Sequence, residues 1–394
     1  DIDKVGVARL AGQLMNEGTK NKTPVELEEA IDDLGASIFL SAGRESISLR
    51  VNCLKSKFLD AYTLAEEILF EPRWDEMEFV RLKQQTLESI NRNKANPNAI
   101  SSEVFNKLIY GDDHIFSRPT SGTKESVEAI ELDDLKKYYE DNFFNSMSYL
   151  TVVGDITEDE AMGAFETLAD KWEPKDIEIP VYPVPEAKDK PMVYFVDVPN
   201  AKQSVIRIGN LGMTAMDPDY YPAYVMNYKL GGSFNSFVNL VLREEKGYTY
   251  GARSGFSGSF MPGTFSASSS VQSRVTLESV QIFKDLMTMY RDGISEEDMT
   301  FTKSALVKSN AARFETLGSL MGMLNSIAAY DYPVDYIKNQ EELVKGMTIE
   351  SHKELAQKYI HPDKMIYLIV GDATTQLEPL ESLGLGKPIL IEYK

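Results

Sequence analysis

Apolar residues recur along this chain at two spacings, about 3.6 and about 2, and the changes between them mark out its elements. Thr23-Pro24-Val25-Glu26 predicts a capped helix start, with proline at the first helical position. Leu27, Ala30, Ile31 and Leu34 follow as one helical stripe, and Gly35 is placed to end it. The spacing then drops to two. Ser37–Ala42 and Ser46–Leu54 predict two strands with a turn at Gly43-Arg44. Helical spacing returns near Phe58–Phe70 and Glu76–Asn91. The later part mirrors this order. Strands are predicted near Val193–Val198 and Ser204–Ile208, helices near Tyr220–Leu230 and Ser233–Glu245, and strands near Tyr250–Phe256 and Thr264–Val271. Ser295-Glu296-Glu297-Asp298 caps a further helix.

The mirroring extends to sequence. Tyr149-Leu150-Thr151-Val152-Val153-Gly154-Asp155 recurs as Tyr367-Leu368-Ile369-Val370-Gly371-Asp372, apart from one inserted residue. Each copy follows a similar helix, Asp133–Phe144 and Glu350–His361. A strand ending in Gly-Asp at corresponding places predicts two copies of one domain. Between them lie residues 173–191, with prolines at 174, 180, 183, 185 and 191. Proline lacks an amide donor, so this stretch reads as an extended linker. The expected layout is a first repeat over 1–172, the linker, and a second repeat over 192–394. The fold class is α+β, each repeat a mainly antiparallel sheet layered with helices.

A chain of 394 residues suits two domains, and 43% hydrophobic residues is globular. No apolar run is long enough to span a bilayer. The formal net charge of −20 argues against nucleic acid, which binds through clustered Lys and Arg. Solubility is the first reading of that charge, and a cavity preferring basic peptides the second. Cys53 is the only cysteine, so no internal disulfide forms; its place in an alternating run predicts a buried, inert thiol. His114, His352 and His361 are the only histidines, and their separation predicts packing or surface roles rather than a metal site. No Gly-x-Ser-x-Gly elbow accompanies the serines of Ser266–Ser270. Gly231-Gly232 lacks a following Gly-Lys-Ser/Thr and reads as a helix start.

Arg243 and Tyr250 stand in LREEKGYTYG, at a predicted helix end and strand start. On residues alone, Arg243 complements a helix dipole and Gly247 ends the helix. The wider block GGSFNSFVNLVLREEKGYTYGARSGF, with Val196-Asp197-Val198-Pro199-Asn200-Ala201-Lys202-Gln203-Ser204 ahead of it, resembles the second half of the pitrilysin / insulysin / mitochondrial processing peptidase family. There the matching arginine and tyrosine reach the backbone of a bound peptide. That family's catalytic half carries His-x-x-Glu-His on its first helix: two histidines on one face bind zinc, and the glutamate activates water. The frame is kept here, from Gly6-Val7-Ala8 to Gly18-Thr19, but Arg9, Gly12 and Gln13 occupy the three chemical positions. Ser89 takes the place of the remaining glutamate ligand; Glu88 is rotated from it by about 100°. The family also places a pair of strands before Asp1-Ile2-Asp3, so the chain resembles the later part of a longer polypeptide.

The resemblance therefore implies half of an enzyme. No complete catalytic set and no metal or other cofactor are expected in this chain. Arg243 and Tyr250 would bind the substrate backbone and stabilise a developing oxyanion. Zinc would belong to a partner half, either upstream in the same polypeptide or a separate subunit, and alone the chain would be inactive. A catalytically dead scaffold of the same fold accounts for the lost ligands equally well, and a peptide-binding protein without hydrolysis is a third reading. Compartment stays open: an exported bacterial protein fits, and so does the cytoplasm.

Overall fold

The computed structural model describes residues 2–172, 174–176 and 180–393. They fall into two compact units: Asp1–Asn93 with His114–Tyr182, and Lys94–Asp113 with Pro183–Lys394. Residues 94–113 thus group with the second unit, although the expected boundary left them in the first. Of the expected linker, Glu173 and residues 177–179 lie outside the described residues.

In the first unit the Val7–Met15 helix packs on the Glu76–Asn93 and Leu132–Asn142 helices and on a hairpin of β1 (Ser37–Ala42) and β2 (Ile47–Asn52). Asn16 fixes this docking. Its amide donates to the Gly12 and Leu40 carbonyls at 2.7 and 2.8 Å, and its oxygen accepts from the Leu40 N–H at 2.8 Å. The Pro24–Asp33 helix starts on the predicted capping box, with Thr23 and Glu26 bonded reciprocally. Its stripe meets β1 and the Phe58–Phe70 helix through Leu27, Ala30, Ile31 and Leu34, and Gly35 follows at φ +57°. Such a left-handed turn strains any residue with a Cβ.

Two expectations fail in this unit. Tyr149–Asp155 forms no strand. Its counterpart in the second unit pairs with a strand on each side, whereas no strand among the described residues of the first unit pairs with this segment. Cys53 lies one residue beyond β2 and is half-buried against the hairpin's cluster, not enclosed. Burial still pushes its thiol pKa up, away from the reactive thiolate.

The second unit is built on one six-stranded sheet. In chain order its strands are β3 (Met192–Asp197), β4 (Gln203–Leu211), β5 (Thr249–Phe256), β6 (Thr264–Gln272), β7 (Ile366–Gly371) and β8 (Ile389–Ile391). In space the order is β5-β6-β4-β7-β3-β8, with β4–β6, β5–β6 and β4–β7 antiparallel, β3–β7 and β3–β8 parallel. The turn between β3 and β4 is short, yet the two do not pair; β7 is inserted between them and every one of its residues is buried. Ile206, Ile208, Phe265 and Val271 face one side, where Phe283 and Tyr290 of the Thr276–Tyr290 helix and Met226 of the Tyr220–Asn227 helix complete the main core. Each fully buried side chain of this size contributes about 1.5–3 kcal/mol. The opposite face of β4 and β7 carries the Pro97–Tyr110 helix. Gly209 permits that approach: a Cβ there would stand 3.0 Å from the Phe105 ring and 2.0 Å from the Phe265 carbonyl oxygen.

Candidate functional site

The segment carrying Arg243 and Tyr250 departs from regular helix at two points. After Tyr220–Asn227, residues Tyr228–Gly232 widen into a π turn, and so do Leu240–Glu245. Such widened turns recur at functional sites. Gly231-Gly232 therefore closes one helix, not starts the next; the next begins at Phe237 after Ser236. Gly231 is needed for space: a Cβ would lie 2.2 Å from both the backbone nitrogen and the hydroxyl of Ser254 on β5. That seam is sealed by Asn227, whose amide donates to the Ser254 carbonyl at 2.8 Å and whose oxygen accepts from the Ser254 hydroxyl at 2.6 Å.

Arg243 sits in the second widened turn. Its guanidinium lies 4.6 Å from the ring centre of Phe234 and its Nε 3.2 Å from Glu244. Gly247, at φ +64°, closes the turn: its N–H reaches the Arg243 carbonyl at 3.1 Å, and the Tyr248 N–H reaches Leu242 at 2.9 Å. The Tyr248 hydroxyl donates to Glu278 at 2.6 Å, a bond that raises the phenol's pKa.

Tyr250 follows at a break in the β5–β6 register between Thr249 and Ala252. A bulge of this kind re-aims a side chain, and Tyr250 is 92% exposed. The bulge has its own support. The Ser269 hydroxyl donates to the Thr249 hydroxyl and to the Gly251 carbonyl, both at 2.9 Å, and the Gly251 N–H returns to the Thr249 hydroxyl at 3.1 Å.

Arg243 and Tyr250 line one open groove of about 310 Å³, together with Phe234, Asn239, Arg253 and the Gly231-Gly232 backbone. Asn239 is the joint between its two sides. It is buried; its amide donates to the Phe234 carbonyl at 2.8 Å and its oxygen accepts from the Ala252 N–H at 3.1 Å. One side chain thus ties the loop under Arg243 to the strand that carries Tyr250. Lys229, also buried, holds the same loop through the Asn235 carbonyl at 3.1 Å and is neutralised by Asp298 at 3.1 Å. Sequence reasoning missed Phe234, Asn239 and Arg253. Asn239 was within reach, four residues before Arg243 and so on the same helix face.

The four positions where the resemblance expects a metal motif assemble nothing comparable. Arg9 is exposed, Gln13 is half-buried, and no hydrogen bond or ion pair links Arg9, Gly12, Gln13 and Ser89 among the described residues. A cation, a glycine, an amide and a hydroxyl are not a zinc donor set. A Cβ at Gly12 would already stand 3.2 Å from the Ala42 nitrogen and from Leu40. Glu88 points to solvent and accepts from Gln84 at 3.0 Å. Among the described residues no three of His, Cys, Asp and Glu cluster as ligands, and no helix is long and apolar enough to cross a membrane.

The histidines serve packing. His114 is buried and caps a short turn through the Phe116 N–H at 3.0 Å. His361 stands 3.0 Å from Arg291. His352 is fully enclosed with Nε2 3.0 Å from the Tyr290 hydroxyl, and desolvation lowers its pKa to about 4.

A relative from Helicobacter pylori named "Non-peptidase homolog YmxG" is 21% identical over 379 residues, 94% of this chain and 86% of the relative. The solved peptidase M16 inactive domain from Pseudomonas fluorescens superimposes with a TM-score of 0.86 at 23% identity, covering 94% of this chain and 88% of that one. The periplasmic protease PqqL from Escherichia coli gives 0.77 at 15% identity, covering 94% of this chain but 41% of its own. A family model described as insulinase (peptidase family M16) matches residues 1–122, and one described as the peptidase M16 inactive domain matches residues 129–306. With two models of peptidase family M16 matched in order along the chain, over residues 1–122 and 129–306, the chain belongs to the M16 peptidase family.

Proposed function

We propose that this chain is the non-metal half, or subunit, of an M16 zinc metalloendopeptidase, and that Arg243 and Tyr250 hold a peptide's backbone and stabilise charge developing on its scissile carbonyl. The observation that carries the reading is that the two side chains line one groove and are tied together through Asn239. Tyr250 is presented to solvent on a supported bulge, which a packing role would not require. An arginine is charged at any working pH, and a phenol donates one hydrogen bond; both suit a carbonyl oxygen gaining charge. The metal and the nucleophile have to come from a half carrying His-x-x-Glu-His, because Arg9, Gly12, Gln13 and Ser89 do not fit zinc. By itself the chain binds peptide and does not cut it.

The test is reconstitution with such a half and a broad peptide mixture. Arg243→Ala and Tyr250→Phe should each lower kcat/KM by about two to three orders of magnitude, with the Tm within a degree or two of the parent. Unchanged cleavage would overturn the reading. The name of the Helicobacter pylori relative favours a second reading, a scaffold without peptidase function. It is the outcome if reconstituted pairs assemble but cleave nothing.

A further inference from the structure

Two arginines on the sheet face opposite the main core have no carboxylate against them among the described residues. Arg207 of β4, Ser268 of β6 and Arg253 of β5 stand side by side in register. Residues paired across strands share a face, and neighbouring strands lie about 4.8 Å apart, so the arginines flank the serine on one surface. Arg253 is exposed on the edge strand, lines the groove of Arg243 and Tyr250, and has no ion-pair partner among the described residues. Arg207 is half-buried under the Pro97–Tyr110 helix. Its Nε and Nη2 donate to the hydroxyls of Ser101 and Ser102 at 3.2 and 3.0 Å, and its guanidinium lies 5.7 Å from the Phe105 ring centre.

A guanidinium carries five N–H donors, and neutral hydroxyls satisfy only part of that capacity. The single carboxylate on the covering helix, Glu103, is engaged by Lys107 at 2.6 Å and by the Tyr393 hydroxyl at 2.8 Å. Burial, then the charge of Arg253, push the Arg207 pKa down. A cation so placed opposes folding until an anion faces it. In a chain of formal net charge −20, the absence of a carboxylate here is local.

We propose that this surface is an acid-accepting subsite of the peptide groove, in which Arg253, with Arg207 behind it, takes the carboxylate of an Asp or Glu side chain of a bound peptide. The inference rests on the reading of Arg243 and Tyr250 as peptide holders. It assigns a substrate class opposite to the one net charge suggests: the chain as a whole would attract basic peptides, whereas this groove selects acidic ones.

The test uses the full chain and two fluorescent, C-terminally amidated decapeptides that differ only in carrying Glu or Gln at alternate positions. Amidation removes the terminal carboxylate as a competing source. At low salt the Glu peptide should bind about tenfold or more tighter, the scale of a charge-assisted hydrogen bond. The preference should shrink as salt rises. Arg253→Gln should abolish most of it, and Arg207→Gln should reduce it while holding or raising the Tm. Arg243→Ala should weaken both peptides alike. Equal affinity for the two peptides, with Arg243→Ala still weakening both, overturns the subsite and leaves the groove standing. Binding of neither peptide overturns the groove reading and the subsite with it.

Discussion

The two repeats begin from related sequences and end differently. In the second, Ile366–Gly371 lies between β3 and β4, fully buried, in the middle of a six-stranded sheet over one large core. In the first, the matching Tyr149–Val153 joins no strand among the described residues and leaves Tyr149 and Leu150 half exposed; the apolar residues divide between two smaller clusters. Strand-forming side chains are thus a precondition for a strand, and neighbours with free backbone groups are the other. The proposed function divides along the same line. In the first repeat, Arg9, Gly12, Gln13 and Ser89 stand where the resemblance expects a metal site, and they form no donor set. The second has devoted a buried asparagine, a bulge and two widened turns to presenting Arg243 and Tyr250.

The comparison can be attacked at one glycine in each repeat. Gly231→Ala should destabilise the second unit by about 3 kcal/mol, because its Cβ would meet the Ser254 backbone at 2.2 Å. Gly12→Ala should fall near zero: its 3.2 Å contacts need only a small shift, and alanine regains about 1 kcal/mol of helix propensity. Urea titrations of the two variants measure both. Similar losses would mean that the emptied motif is packed as tightly as the groove.

Acid should separate the repeats next. His352 is neutral and enclosed in the second unit, with a folded pKa of about 4 against an ordinary 6.5. The unfolded chain takes up this proton before the folded one, so stability is complete above pH 6.5 and falls toward pH 4, by up to about 3 kcal/mol. Trp74 and Trp172, the chain's only tryptophans, both belong to the first unit. The urea midpoint seen by circular dichroism should therefore drop over that range more than the midpoint seen by tryptophan fluorescence, and His352→Gln should flatten the difference. Identical pH profiles from both probes and both proteins would remove His352 from the account. The smallest effect concerns metal: zinc or EDTA should move the Tm of tag-free protein by less than a degree, and stoichiometric zinc in the purified chain would contradict that.

Much of the fold was legible. Ser37–Ala42 and Phe58–Phe70 form as predicted, because a local hydrophobic period specifies each of them. What escaped was non-local. The insertion of β7 between β3 and β4 and the placing of the Pro97–Tyr110 helix on the second unit's sheet depend on partners remote in sequence. Gly231-Gly232 reads as a helix start from sequence alone; in the fold Gly231 lets a helix end close to Ser254. At the site, Arg243 and Tyr250 stood out only through a family resemblance. Asn239, Phe234 and Arg253 became visible once β5 lay beside the widened turns.

β5 is also the last strand of its sheet. A flat, apolar edge recruits strands from other molecules and seeds aggregation. Here the edge is bent by the bulge at Thr249–Ala252, thinned by Gly251 and Gly255, and marked by the charge of Arg253. The geometry that turns Tyr250 outward therefore makes the same strand a poor template for self-association, and straightening the bulge should lower solubility before it lowers any affinity for peptide.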